Sequence, residues 1–263
     1  MNGETAQKSS IVMSARKALH DGEEIKYCLD SYVLSIKFVF HSGGKNAENK
    51  IEAKSVSEWF DICRRRGLED IKFMIPTSVA DRSILGFSNT GGDSIVCFFN
   101  DKSVTYFTSR WEFDRDNKGW MVLYEEHEWK DAPQGKPFFV NRVEDFKQVL
   151  SDIEAFAKRI DCDNFARIFH RASEALGDSA GKDGDASEDY IPDAVPDIFR
   201  GIYRAIMDAD VFGAMGSWND EPPYYAYEKG LDNEYNSLSN KLLEQLRYNL
   251  MYIVNESWNK DRN

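Results

Sequence analysis

Two hairpin signals follow each other between residues 94 and 129, and no other feature of the chain constrains its fold as strongly. The strand-like runs SIVCFF and SVTYFT are joined by residues 100–102, and SRWEF and GWMVLYEEHEW are joined by residues 114–118. Short polar connections between runs of strand-forming residues are typical of β-hairpins. Because parallel strands need long crossover connections, consecutive hairpins predict an antiparallel β-meander.

The second hairpin also predicts which side chains lie opposite each other. If its loop is symmetric, Phe113 faces Trp120 and Trp111 faces Val122. Such aromatic pairs stabilise neighbouring strands. Further upstream, apolar residues alternate in SYVLSIKFVF, residues 31–40, which predicts another strand with one strongly buried face.

Helical spacing replaces this alternation after Pro137. Apolar residues then recur at intervals of three and four, in stretches that begin near residues 143, 163, 196 and 231. The last stretch, 231–258, predicts a helix roughly 40 Å long. Shorter helices are expected in the N-terminal half, at residues 10–19 and, after the capping-box pattern of Ser55 and Glu58, up to Gly67.

These patterns predict an α+β protein with two parts. Residues 1–137 are expected to form an antiparallel β-meander with short helices, and residues 138–263 a helical part that could share the same core. The run GDSAGKDGDASEDY predicts a flexible acidic linker near residues 177–192. That run lacks the glycine and the final glutamate of a calcium-binding loop, so no calcium site is expected there.

Charge limits the partners that the chain can bind. Acidic residues outnumber basic ones by 45 to 33, which gives a net charge of −12. Nucleic acid would be repelled, because its phosphates require clustered lysine and arginine. The three arginines 64–66 fall in the last turn of a predicted helix, where they complement its dipole. A basic protein partner, in contrast, would be attracted.

The sequence indicates a cytoplasmic protein that does not bind membranes. No apolar run is long enough to span a bilayer, and the N-terminal residues lack the order of a signal peptide. The cysteines are far apart and form no CxxC pattern, so all of them are expected to be reduced thiols in the core. They are Cys28, Cys63, Cys97 and Cys162. Oligomeric state is not predicted.

No motif for catalysis or cofactor binding occurs in the chain. The sequence contains no P-loop, GxGxxG, HExxH or GxSxG pattern. On a strand, Glu125 and His127 would share one face, but two ligands are too few for a metal site. We therefore expect no catalytic residue, no metal and no cofactor. The alternative is an enzyme or ligand sensor with a pocket between sheet and helices, near Glu125, His127 and Trp218.

The stretch GAMGSWNDEPPYYAYEKG, residues 213–230, combines helix-breaking residues with four large aromatic side chains. Pro222 and Pro223 are expected to stiffen it against helix formation, which predicts an ordered loop. Its aromatic side chains either pack the loop onto the helices or remain exposed as binding anchors. In the second case the candidate partner-binding residues are Trp218, Tyr224 and Tyr225, with Asp220 and Glu221 as a negative rim.

The run GSWNDEPPYYAYEKGLDNEYNSLS, residues 216–239, resembles the C-terminal region of bacterial proteins associated with toxin–immunity loci. The resemblance covers the last quarter of the chain. It implies a cytoplasmic protein that binds and blocks a toxin without catalysis. A basic toxin would match the acidic charge of the chain.

Overall fold

The computed structural model describes residues 1–41, 51–133, 135–177 and 191–259. The predicted acidic linker, with its candidate calcium loop, falls mostly on residues 178–190, which lie outside these ranges. Contacts divide the chain into two compact units. The sheet unit comprises Glu4–Ile75, Gly91–Phe138 and Val254–Asn263, and the helical unit comprises Met1–Gly3, Pro76–Thr90 and Phe139–Ile253.

Six strands form one sheet in the sheet unit. In chain order they are β1 (Val33–Phe40), β2 (Ile51–Ala53), β3 (Leu68–Met74), β4 (Ser94–Phe99), β5 (Val104–Asp114) and β6 (Gly119–Glu128). Their spatial order is β2-β1-β6-β5-β4-β3. From β3 to β6, consecutive strands are antiparallel neighbours, which confirms the predicted meander. The expectation of a purely antiparallel sheet is wrong, because β1 pairs with β6 in parallel.

The β5–β6 hairpin has the predicted register. Phe113 pairs with Trp120 and Trp111 with Val122, and the rings of Phe113 and Trp120 lie 5.2 Å apart. A hairpin fixes its own register through the length of its turn. β6, the parallel partner of β1, is far away from it in sequence, so no turn specifies this pairing.

Helices occur in both units. Among the described residues they are α1 (Gly3–Asp21), α2 (Val56–Arg65), α3 (Val143–Arg159), α4 (Asp163–Gly177), α5 (Asp197–Ala209), α6 (Pro222–Glu228) and α7 (Asp232–Glu256). All but α6 match helices expected from the sequence. None of the helices in this part of the chain is long and apolar enough to cross a membrane.

Stacked aromatic rings form the core of the sheet unit. Trp59 of α2 lies 5.0 Å from Phe38 of β1, and Phe38 lies 4.7 Å from Tyr124 of β6. All three side chains are fully buried. The start of α2 is fixed by its cap, because the Ser55 hydroxyl accepts a hydrogen bond from the backbone N–H of Glu58.

The helical unit is built around the stripe predicted for α3. Phe146, Leu150, Ile153 and Ala157 are all completely buried. Helix α4 packs against both α3 and α5. The end of α7 is apolar on more than one side, and its residues Leu250 to Val254 are buried throughout.

Three of the four cysteines lie in the core. Cys63, Cys97 and Cys162 are buried free thiols, whereas Cys28 is exposed, so the prediction of four core thiols is wrong for Cys28. Cys63 and Cys97 are hydrogen-bonded to each other. Burial raises the pKa of the Cys97 thiol and keeps it in the unreactive protonated form.

Asn255 covers the outer edge of strand β3. Its side-chain oxygen accepts a hydrogen bond of 2.7 Å from the N–H of Phe73, and its side-chain nitrogen donates one of 2.7 Å to the carbonyl of the same residue. Arg16 donates to the neighbouring carbonyl of Ile71 at 2.8 Å. An open sheet edge is a template for pairing with another chain, and these side chains occupy it.

Replacing Asn255 with alanine should reduce the free energy of unfolding by about 1–3 kcal/mol, because both backbone groups of Phe73 lose their partner while buried. Urea denaturation would measure the loss, and hydrogen exchange at Phe73 should accelerate. Asn233→Ala, at an exposed position of α7, is the matched control and should stay close to wild type. An unchanged unfolding midpoint for Asn255→Ala would show that the edge needs no cover.

Candidate functional site

Trp218 lies inside the helical unit and is completely buried. Its ring is surrounded by those of Phe165 at 5.1 Å, Phe169 at 5.2 Å and Tyr235 at 5.6 Å. The contacts with Phe165 and Phe169 are edge-on, an arrangement that is favourable for aromatic rings. Of the two uses foreseen for the aromatic side chains, packing is the one that applies to Trp218.

The polar groups of Trp218 are also satisfied inside the unit. Its indole N–H donates to the Ser239 hydroxyl at 2.8 Å, and its carbonyl accepts a hydrogen bond from the Tyr235 hydroxyl at 2.7 Å. A fully enclosed side chain cannot contact a partner on the surface. The structure therefore removes Trp218 from the predicted contact residues, and from the residues that the alternative enzyme hypothesis named for a pocket.

Asn219 anchors the next part of the stretch to Arg82. The Arg82 guanidinium donates to the side-chain oxygens of Asn219, Asn236 and Asn240 at 3.1, 2.8 and 2.9 Å, and Asn219 donates back to the Arg82 carbonyl at 2.9 Å. Tyr235 accepts a further, longer hydrogen bond from Arg82. We call these five residues the Arg82 cluster.

A glycine allows two segments of the helical unit to meet at this place. A Cβ atom on Gly86 would lie 2.5 Å from the backbone nitrogen of Ala214, so only glycine fits there. The runs SWND and NEYNSLSN thus supply Trp218 and most of the Arg82 cluster, whose contacts lie within the helical unit.

Residues Pro222–Glu228 form helix α6, which the sequence analysis did not predict. The expectation that Pro222 and Pro223 prevent a helix is wrong, because both occupy its first turn. In the first turn of a helix, the backbone N–H of any residue has no partner within the helix, so proline loses nothing by lacking this group. The fixed φ of proline also suits a helix start. Pro222 and Ala226, one turn apart, form the buried side of α6.

The opposite side of α6 carries three exposed tyrosines. The exposed fractions of Tyr224, Tyr225 and Tyr227 are 59%, 37% and 72%. The rings of Tyr224 and Tyr225 lie 6.0 Å apart, nearly edge to face. We call these three residues the tyrosine face. Two of them, Tyr224 and Tyr225, are predicted contact residues, and the structure places both on the surface.

Carboxylates border the tyrosine face. Asp220 and Glu221, the predicted rim, are exposed, and Glu228 accepts a hydrogen bond of 2.5 Å from the Tyr224 hydroxyl. This bond raises the pKa of the Tyr224 hydroxyl. We call Asp220, Glu221 and Glu228 the acidic rim. The Asp220 carboxylate also accepts from the N–H of Gly216 at 2.7 Å, so part of the rim is held in place.

Further negative charge lies beside this rim. The pKa of the Cys162 thiol is raised to about 11, mainly by burial and then by the nearby carboxylates of Asp161 and Glu221. Lys229 offsets part of this charge through its ion pair with Asp161 at 2.5 Å. Glu221 of the acidic rim and Asp161 therefore both lie close to Cys162.

Glu125 and His127 lie on one face of the sheet, opposite Thr108 and Tyr106 of β5. The His127 ring stacks on Tyr106 with a centroid distance of 5.1 Å, and its Nε2 lies 3.0 Å from the Thr108 hydroxyl. Glu125 pairs in register with Thr108 on the same face of the sheet. Within the described residues, no group of three or more histidine, cysteine, aspartate or glutamate side chains is arranged to hold a metal ion.

The sheet unit contains a buried polar cluster that the sequence does not predict. Lys8 and Asp93 form an ion pair of 2.7 Å in which both side chains are almost completely buried. Next to this pair on α1, Gln7 accepts a hydrogen bond of 2.9 Å from the hydroxyl of Tyr124. A lysine in the first half of a polar helix gives no signal of burial, so only the fold reveals it.

Comparison with known proteins adds no relative, since no family model, curated protein or solved structure matches this chain.

Proposed function

We propose that this chain is a non-catalytic protein-binding protein that contacts a basic protein partner through the tyrosine face and the acidic rim. One observation carries this proposal. Helix α6 is already anchored by Pro222 and Ala226, so its three exposed tyrosines are not needed for packing. Tyrosine supplies much contact area at a low entropy cost and is enriched among residues that dominate binding energy.

The charge of the surface favours a basic partner. The acidic rim lies directly beside the tyrosines, and the whole chain carries a net charge of −12. Complementary charge accelerates encounter and disfavours partners of the wrong sign. A lysine or arginine of the partner could also lie over the tyrosine rings and gain a cation–π contact.

The resemblance to proteins of toxin–immunity loci supports a more specific form of this proposal. In that form the partner is a basic toxin, and binding blocks the toxin by occlusion in the cytoplasm. The resembling run, 216–239, contains all of α6.

Site-specific photo-crosslinking tests whether the tyrosine face is a binding surface. A photoreactive phenylalanine analogue at position 227 in the native host should capture one basic protein in stoichiometric amounts. The same analogue at Phe87, which is similarly exposed at 63% in the helical unit, is the control and should not capture it. Equal capture from both positions would contradict a specific surface.

Binding kinetics of the captured partner should distinguish the contribution of the tyrosine face from that of the acidic rim. Tyr224→Ala/Tyr227→Ala should weaken affinity by about 2 kcal/mol or more, mainly through faster dissociation. Asp220→Asn/Glu221→Gln should mainly slow association, and salt should reduce this loss because it screens exposed charges. Stopped-flow measurements at two ionic strengths give both rates.

The control for the rim variant is Glu23→Gln/Glu24→Gln, which removes the same charge at exposed positions of the sheet unit. It should leave both rate constants unchanged. If the control slows association as much as the rim variant does, total charge and not the acidic rim attracts the partner. If the tyrosine variant binds like wild type, α6 is not the contact surface.

A further inference from the structure

A cavity of about 560 Å³ opens in the sheet unit beside the β4–β5 hairpin. Phe98 of β4 and Val104 of β5 pair directly with each other and both line it. Pro133, from the segment that follows β6, adds a third apolar lining group. The volume lies within the range of roughly 300–1,000 Å³ that is usual for small-molecule sites.

The charge that lines this cavity is opposite to that of the whole chain. Lys102 and Lys136 contribute two positive charges, and Glu69 contributes one negative charge. The ion pair of Lys136 with Glu69 is long, at 3.6 Å, and both side chains are about half exposed. In the described part of the chain, Lys102 forms no ion pair at all. Positively charged side chains thus outnumber negatively charged ones in the lining of this cavity, although the protein as a whole is acidic.

The turn that carries Lys102 is fixed before any ligand arrives. Lys102 has a φ of +68°, which is unfavourable for a residue with a side chain, and its N–H donates to the carbonyl of Phe99 at 3.0 Å. Asp101 accepts hydrogen bonds from both the N–H and the hydroxyl of Ser103. A preorganised turn loses little entropy when its lysine contacts a ligand.

We propose that this cavity binds a small molecule with an apolar body and one carboxylate group. The apolar body would pack on Phe98, Val104 and Pro133, and the carboxylate would lie between the ammonium groups of Lys102 and Lys136. This inference is independent of the proposed partner surface, because it rests on different residues in the sheet unit.

Octanoate is a suitable probe, with 1-octylamine as its matched opposite in charge. Titration followed by NMR should show octanoate binding with a Kd on the order of 1 mM, since a ligand of about ten non-hydrogen atoms supports no more than modest affinity. The shifts should concentrate at Ser103, Val104 and Ala132. Octylamine should not produce them, although the net charge of −12 would favour a cation at any non-specific site.

Two variants decide whether the lysines and the cavity are responsible. Lys102→Gln/Lys136→Gln should raise the Kd about tenfold, because each exposed ion pair contributes up to about a factor of five. Ala132→Trp should abolish binding by filling the cavity. Lys26→Gln/Lys130→Gln removes the same charge at exposed positions and should leave the Kd unchanged. Octanoate shifts that survive both cavity variants, that octylamine reproduces, or that never appear would each overturn the proposal.

Discussion

Replacing Trp218 with alanine should lower the free energy of unfolding by about 3–5 kcal/mol, the usual cost of removing a fully buried tryptophan. The substitution leaves a cavity among Phe165, Phe169 and Tyr235, and it leaves the Ser239 hydroxyl without the indole N–H. The melting temperature should fall by on the order of 10 °C. Thermal and urea unfolding of the purified variant would measure both quantities.

Tyr227→Ala is the matched control for this prediction, because it removes a large aromatic ring from an exposed position in the same stretch. Its unfolding midpoint should stay close to that of wild type. In partner binding the expected order is reversed. Folded Trp218→Ala should bind normally, whereas Tyr227→Ala should bind more weakly. A stable Trp218→Ala protein with weakened binding would mean that the indole contacts the partner and not the core.

Replacing Lys8 with methionine should cost about 3–5 kcal/mol, since it leaves the buried carboxylate of Asp93 without its counter-ion. The ion pair has a length of 2.7 Å, and its side chains are only 1% and 2% exposed. One oxygen of Asp93 already lacks a hydrogen-bond partner within the described residues, so nothing there compensates the loss. Urea unfolding gives the change in free energy.

The double variant Lys8→Met/Asp93→Leu shows whether charge or volume causes this loss. Replacing both members of a buried ion pair with apolar residues is often neutral, so the double variant should be more stable than Lys8→Met alone. Lys17→Met, at an ion pair on the exposed side of α1, should change stability by less than about 1 kcal/mol. A double variant that is no more stable than Lys8→Met would mean that packing and not charge dominates at this position.

Local patterns predicted most of the secondary structure and part of the sheet. The β5–β6 register could be derived because a hairpin turn relates Phe113 to Trp120 through only a few residues. The parallel pairing of β1 with β6 could not, because no local signal specifies a partner so distant in sequence. Helix α6 was missed because two consecutive prolines usually oppose a helix, and only their place in its first turn permits one.

The candidate site, too, could be predicted from the sequence only in part. The sequence identified the aromatic stretch, but it could not distinguish Trp218, which is buried, from Tyr224, which is exposed. Burial depends on side chains such as Phe169 that belong to other helices. Likewise, the burial of Lys8 goes with an ion pair to Asp93, which lies 85 positions away in sequence.

The order in which the chain contributes to its two units has a consequence for its synthesis. Arg82 of the helical unit is hydrogen-bonded to Asn240, which follows it by 158 positions in the chain. Phe73 of the sheet unit is hydrogen-bonded to Asn255, which follows it by 182 positions. On the ribosome, the helical unit cannot be completed before Asn240 has emerged, nor the sheet unit before Asn255 has emerged. Separate expression of either half, divided between residues 137 and 138, should yield protein that fails to fold. The first half would lack Asn240 and Asn255, the second half would lack Arg82 and Phe73, and mixing the two would be needed to restore the native state.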